Sequence, residues 1–100
     1  MRTIKELIGK EDKVYILLRT KAIRYRFMSD AALEGITYGD GVPATDREVD
    51  DIMALRLDGT ICFLGWAGRM CYHNSKGSVL RIDYERYIAG SEDYLIRIGE

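Results

Sequence analysis

Cys71 and His73 stand one residue apart, and a thiol beside an imidazole is the nearest this chain comes to a nucleophilic pair. On an extended strand the two side chains would point to the same side. A cysteine nucleophile needs a base close by and a lowered pKa, and no nucleophile motif surrounds this pair. Metal chemistry finds less. Cys62, Cys71 and His73 have neither C-x-x-C spacing nor a fourth soft ligand. Asp46, Glu48, Asp50 and Asp51 offer oxygen donors of the kind a hard cation takes, without the glycine and terminal glutamate of an EF-hand loop. Gly39-Asp40-Gly41 is not followed by the helix-opening G-K-[ST] of a phosphate loop, and no G-x-S-x-G occurs. The expectation is no catalytic residue, no metal and no cofactor. The reading leans away from an enzyme, with a small Cys71-dependent one as the lesser alternative.

Binding chemistry is better represented. Trp66, Tyr72, Tyr84, Tyr87 and Tyr94 crowd the second half of a chain that has seven tyrosines and one tryptophan. Such side chains join an apolar body to a polar tip and are favoured at interfaces. Trp66 with Arg69, Tyr72 and His73 would make a site for a partner or for a planar small ligand. The charge pattern supplies a second candidate. The formal net charge is −1, which hides a division. Residues 1–28 carry eight basic and three acidic residues, a net +5, and residues 30–51 carry seven acidic and one basic, a net −6. Residues 52–100 balance at six and six. Asp40, Asp46, Glu48, Asp50 and Asp51 then form a negative stretch suited to steering a basic protein partner or imitating nucleic-acid phosphate. Alternatively the two segments simply pair with each other. The basic third could touch nucleic acid weakly, opposed by its acidic neighbour.

These residues need elements to hold them. Thr3-Ile4-Lys5-Glu6 is a capping-box pattern opening a short helix that Gly9 stops. Val14–Leu18 reads as a buried strand. Thr20 caps a helix to about Glu34, closed by Gly35, with Ile23, Phe27, Met28 and Ala31 as its apolar face and Arg24 snorkelling between them. Ile36–Tyr38 reads as a second strand and Thr45–Glu48 as a helical turn. Ile52–Leu57 alternates as a strand, Asp58-Gly59 turns it with both turn residues at positive φ, and Thr60–Ala67 returns. Gly65 and Gly68 about Trp66 read as a bulge in that strand or as a close backbone approach. Asn74–Ser78 is a turn, Val79–Tyr84 an alternating strand and Glu85–Ala89 a short helical turn. Tyr94–Ile98 is either a last strand or a loose end. The fold class is α+β: a mostly antiparallel sheet, one main helix on one face, short flanking helices, and the other face partly open.

With 100 residues the chain is expected to be one domain, and at 47 % hydrophobic it has material for an ordinary core. No apolar run reaches the roughly 18–20 residues of a membrane span, and no signal peptide is evident at the start. Two cysteines make at most one bridge, and Cys62 lies in an apolar run, so two free thiols in a reducing cytoplasm are expected.

The run from Phe27 through Asp30, Glu34 and Tyr38 to Gly41 resembles a helix-then-strand signature of small uncharacterised proteins encoded on bacterial phages, plasmids and related mobile elements. Ile52–Leu55, Asp58–Ile61, Gly65–Gly68 and Arg81–Tyr84 look like later blocks of the same family, and together the blocks cover most of the chain. In those relatives the position of Arg69 is often His, so no role for that histidine carries over. The resemblance implies a cytoplasmic accessory protein of a mobile element and brings no activity, cofactor or catalytic residue. The leading expectation is thus a non-enzymatic interaction module that engages a host or element macromolecule, for example as an inhibitor of a host nuclease or defence complex. The alternative is a small-molecule binder or sponge around Trp66. A homodimer through an edge strand, 79–84 or 94–98, is a further possibility.

Overall fold

The apolar run after the first polar turn forms the central strand, β1, Lys13–Leu17. β2, Ile52–Leu55, lies antiparallel to it, and β3, Ile61–Phe63, antiparallel to β2. β4, Val79–Asp83, flanks β1 on its other side and runs parallel to it, so the sheet order is β3-β2-β1-β4. This is a computed structural model, and it describes residues 2–74 and 79–96. Three helices complete the α+β architecture: α1, Lys21–Leu33, α2, Trp66–Asn74, and α3, Tyr84–Ile88. Two 3-10 turns, Lys5–Leu7 and Ala44–Asp46, sit in the connections. The Cα radius of gyration, 12.5 Å, is that of one packed unit of this length.

α1 forms where the sequence places it. The Thr20 hydroxyl accepts the Ile23 N–H at 3.2 Å, satisfying one orphan donor of the first turn. At the far end Gly35 takes φ +74°, its N–H donates to Ala32, and the Ile36 N–H donates to Ala31, the Schellman pattern. Ile23, Phe27, Met28 and Ala31 are its buried residues. They pack on the face of the sheet that carries Val14, Ile16, Met53, Leu55, Ile61 and Ile82. Arg24 reaches back to donate to the Leu18 carbonyl, which resolves its place between apolar neighbours. The Glu34 carboxylate accepts the N–H groups of Ile4 and Lys5, both at 2.9 Å, and so fastens the N-terminal turn to the end of α1.

Several elements differ from the sequence expectation. Ile36–Tyr38 makes only two isolated bridges, Thr37↔Pro43 and Tyr38↔Ile61, because the Gly-rich loop and Pro43 interrupt any longer ladder. β2 ends at Leu55 and β3 at Phe63. The expected bulged strand through Trp66 is instead the start of α2. The hairpin at Asp58-Gly59 is present, but only Gly59 has positive φ, at +86°, so it is not the turn with two such residues. The Asp58 carboxylate accepts the Thr60 N–H at 2.9 Å and steadies the loop. Replacing Gly59 by Ala should lower unfolding free energy by about 1–2 kcal/mol, because an L residue is strained there. Its added Cβ would meet only Ile8 Cδ1, at an ordinary 3.5 Å, so urea unfolding reads backbone strain and not a clash.

β4 alternates in sequence, yet Arg81 and Asp83 on its second face are also buried. α2 covers that face. Tyr72 packs its ring 5.9 Å from Tyr15 and its carbonyl accepts the Arg81 Nε–H. Asp83 caps α3 by accepting the Arg86 N–H and pairs with Arg19 at 3.0 Å. The outer edge of β4 is already engaged: the Asp83 N–H donates to Tyr94 at 2.8 Å and the Ile96 N–H to Arg81 at 2.9 Å, about a single bridge at Leu95. A second copy pairing on that edge would have to displace residues 94–96. The rest of the expected strand, Arg97 and Ile98, and the turn at Ser75–Ser78 lie outside the described residues.

Candidate functional site

Helix geometry decides which candidate residues meet. At 100° per residue, Trp66, Arg69, Met70 and His73 share one face of α2, while Gly68, Cys71 and Tyr72 turn toward the sheet. Cys71 and His73, expected on one side of a strand, therefore diverge. Cys71 lies at the sheet side, where the Lys13 ammonium approaches its sulfur at 3.4 Å, and His73 is exposed with its ring edge-on to Tyr72. Burial first, and the hydrogen bond with Cys71 second, push the Tyr15 hydroxyl up to about 12. Cys62 and Cys71 are not joined by a disulfide.

Trp66 is 81 % exposed, an uncommon state for the largest apolar side chain in the protein. Met70, 45 % exposed, lies one turn on, a neighbour that a helix and not the expected strand brings beside Trp66. The available signal was the spacing Leu64, Gly68, Cys71 and Tyr72, which has the helical period and marks the inward face. Tyr72 is buried beneath this surface and supports it. Tyr84 and Tyr87 are core, and Tyr94 is partly buried against them. Tyr84 stands edge-on to Phe27 at 5.2 Å and donates to Asp30 at 2.6 Å, and Tyr87 donates to the Thr3 carbonyl at 2.6 Å.

The acidic candidates join this surface. The Arg69 guanidinium pairs with Asp51 at 2.8 Å and reaches Asp50 at 3.7 Å, so the two sets of candidate residues meet through one arginine. Asp40 pairs with Arg47 at 2.7 Å, and Arg47 also lies over the Tyr38 ring. Asp46 and Glu48 are exposed and make no side-chain hydrogen bond or ion pair with the described residues. Among those residues the only ion pair crossing from 1–28 to 30–51 is Arg26–Asp30, at 3.0 Å along one helix. The opposed segments thus do not face each other broadly. Arg2, Arg19, Arg24 and Arg26 are all engaged within the molecule, which leaves the basic third mostly lysines for any nucleic acid. No three His, Cys, Asp or Glu side chains among the described residues are grouped to hold a metal ion.

The Arg69 guanidinium holds the Asp51 carboxyl below the usual carboxylate range. A carboxylate with a lowered folded pKa stabilises above its unfolded pKa, about 3.9, and loses that contribution as pH falls through the folded value. Acid titration below about pH 4 should therefore loosen the attachment of α2 to residues 50–51 before the core unfolds. Trp66 emission followed from about pH 6 to about pH 2 reads this step, and Arg69→Gln should remove it. Both partners are more than a third exposed, so the effect is expected to be small in energy.

Comparison with protein-family models, with curated proteins and with solved structures finds no match to this chain. The class is set by the molecule itself: an α+β domain that presents an exposed tryptophan on a short helix, tied by an arginine to an acidic stretch. Among the described residues no helix is long and apolar enough to cross a membrane.

Proposed function

We propose that the protein is a non-enzymatic interaction module whose α2 face engages a macromolecular partner with a basic surface. One observation carries this reading: the single tryptophan of the chain is 81 % exposed on a helix anchored to the sheet. Interfaces draw their energy from a few residues, with Trp and Arg prominent, ringed by polar groups that exclude water. Trp66 and Met70 supply the apolar centre. Asp50, with Glu48 and Asp46 further along the same stretch, supplies negative charge beside it. A protein partner with lysines or arginines around an apolar recess fits this arrangement. The resemblance to mobile-element proteins supports an accessory role in a cytoplasm, and an inhibitor of a host nuclease or defence complex is one form it would take.

The test is kinetic. A partner recovered with the wild-type protein is measured against a variant carrying Asp46→Lys, Glu48→Lys and Asp50→Lys, with Asp51 kept because it holds Arg69. Association should slow by about tenfold and lose most of its salt dependence. An association rate that stays constant for the wild type between roughly 50 and 300 mM salt contradicts the electrostatic part of the proposal.

A further inference from the structure

On the face of the sheet beneath α2, the strand register sets Tyr15, Ala54 and Cys62 side by side in one row. Two of these three are small. Above them the chain enters α2 through Leu64, Gly65 and Gly68, and the buried Leu64 side chain packs against Gly68, so the two glycines leave room beside it. The result is a cavity of about 420 Å³ that these residues line together with Lys13. Neither Trp66 nor Tyr72 is among its lining residues, so this is not the aromatic pocket expected around Trp66.

We propose that this cavity binds a small planar aromatic carboxylate. The floor of Ala54 and Cys62 and the wall of Leu64, Gly65 and Gly68 make a narrow slot for a ring, with the Tyr15 ring and the polarisable Cys62 sulfur as its contacts. Lys13 sets the charge. Its ammonium has three donors, one directed at the Cys71 sulfur, a weak acceptor, and it makes no ion pair with the described residues. Arg56 also lines the cavity, but its guanidinium lies beside Gly39 and acts on Asp58, and Asp12 stands at the same rim as Lys13. Lys13 is thus the cation at the rim that a ligand carboxylate would meet, paired with neither Asp12 nor any other described carboxylate, and this favours an anion. The proposal does not depend on the Trp66 surface.

The probes are 2-naphthoate, its neutral amide and 2-naphthylmethylamine, titrated into the full chain and followed by amide chemical shifts. Naphthoate should saturate, with the largest shifts at Ala54, Cys62, Gly65 and Gly68. The neutral amide should bind about fivefold more weakly and the amine more weakly still. Lys13→Gln should erase the preference for naphthoate over the amide. Ala54→Leu should fill the slot and abolish binding of all three. Cys62→Met is the second filling variant, and it carries this arm if Ala54→Leu does not fold. Trp66→Ala should leave naphthoate binding unchanged. No saturation at millimolar naphthoate, equal affinity for the three probes, or binding that persists in a folded slot-filling variant would each overturn the proposal.

Discussion

Trp66→Ala should abolish measurable partner binding while leaving the fold intact. Truncation of a central interface tryptophan typically weakens binding by 2 kcal/mol or more, about thirtyfold. The side chain is already in water, so its removal forms no cavity, and unfolding free energy should change by less than about 0.5 kcal/mol. The separation of these two effects is what gives the substitution its value. A buried residue cannot show it, because losing the residue damages fold and binding together. Tyr72→Ala, on the inward side of the same helix, should therefore impair both. Calorimetry with the recovered partner and urea unfolding of each variant make the comparison. A Trp66→Ala protein that binds normally would remove α2 from the binding surface.

The largest stability effect belongs to Phe27→Ala. Phe27 is fully buried, packs from α1 against the sheet, and meets Tyr84 edge-on. Emptying such a site costs about 3–5 kcal/mol, through lost transfer energy and an incompletely collapsed void. A domain of this size has roughly 5–15 kcal/mol in total. Thermal unfolding should therefore move down by more than about 12 °C. Phe27→Leu keeps most of the volume and should lose far less. A loss below about 1 kcal/mol for Phe27→Ala would mean that α1 contributes little to the core, contrary to its packing.

α1 was legible because its information is local: a capping threonine, four apolar residues at helical spacing and a glycine at its end. The Asp58-Gly59 hairpin was legible for the same reason, although its loop resolves with one left-handed residue and not two. α2 was hidden. Gly65-Trp66-Ala67-Gly68 follows a strand directly and contains two poor helix formers, so it reads as a continuation with a bulge. Its helical state comes from tertiary contacts, Tyr72 on Tyr15 and Arg81 on the Tyr72 carbonyl, which no local window contains. The same helix separates Cys71 from His73 and brings Met70 beside Trp66, neither of which a strand would do. The parallel pairing of β1 with β4 joins segments far apart in the chain, and burial of Arg81 and Asp83 follows from α2 covering that face. The acidic stretch was visible in the composition, but its link to Arg69 depends on where α2 lies.

The central claim is that the Trp66 face of α2 is the surface that meets a partner. A photo-crosslinking residue placed at Met70, compared with one at the exposed Leu33 on α1 across the sheet, tests it directly in cells. The account predicts a discrete protein adduct from position 70 that Trp66→Ala eliminates and that position 33 does not give. The same adducts from both positions, or an adduct at position 70 that survives Trp66→Ala, would contradict it.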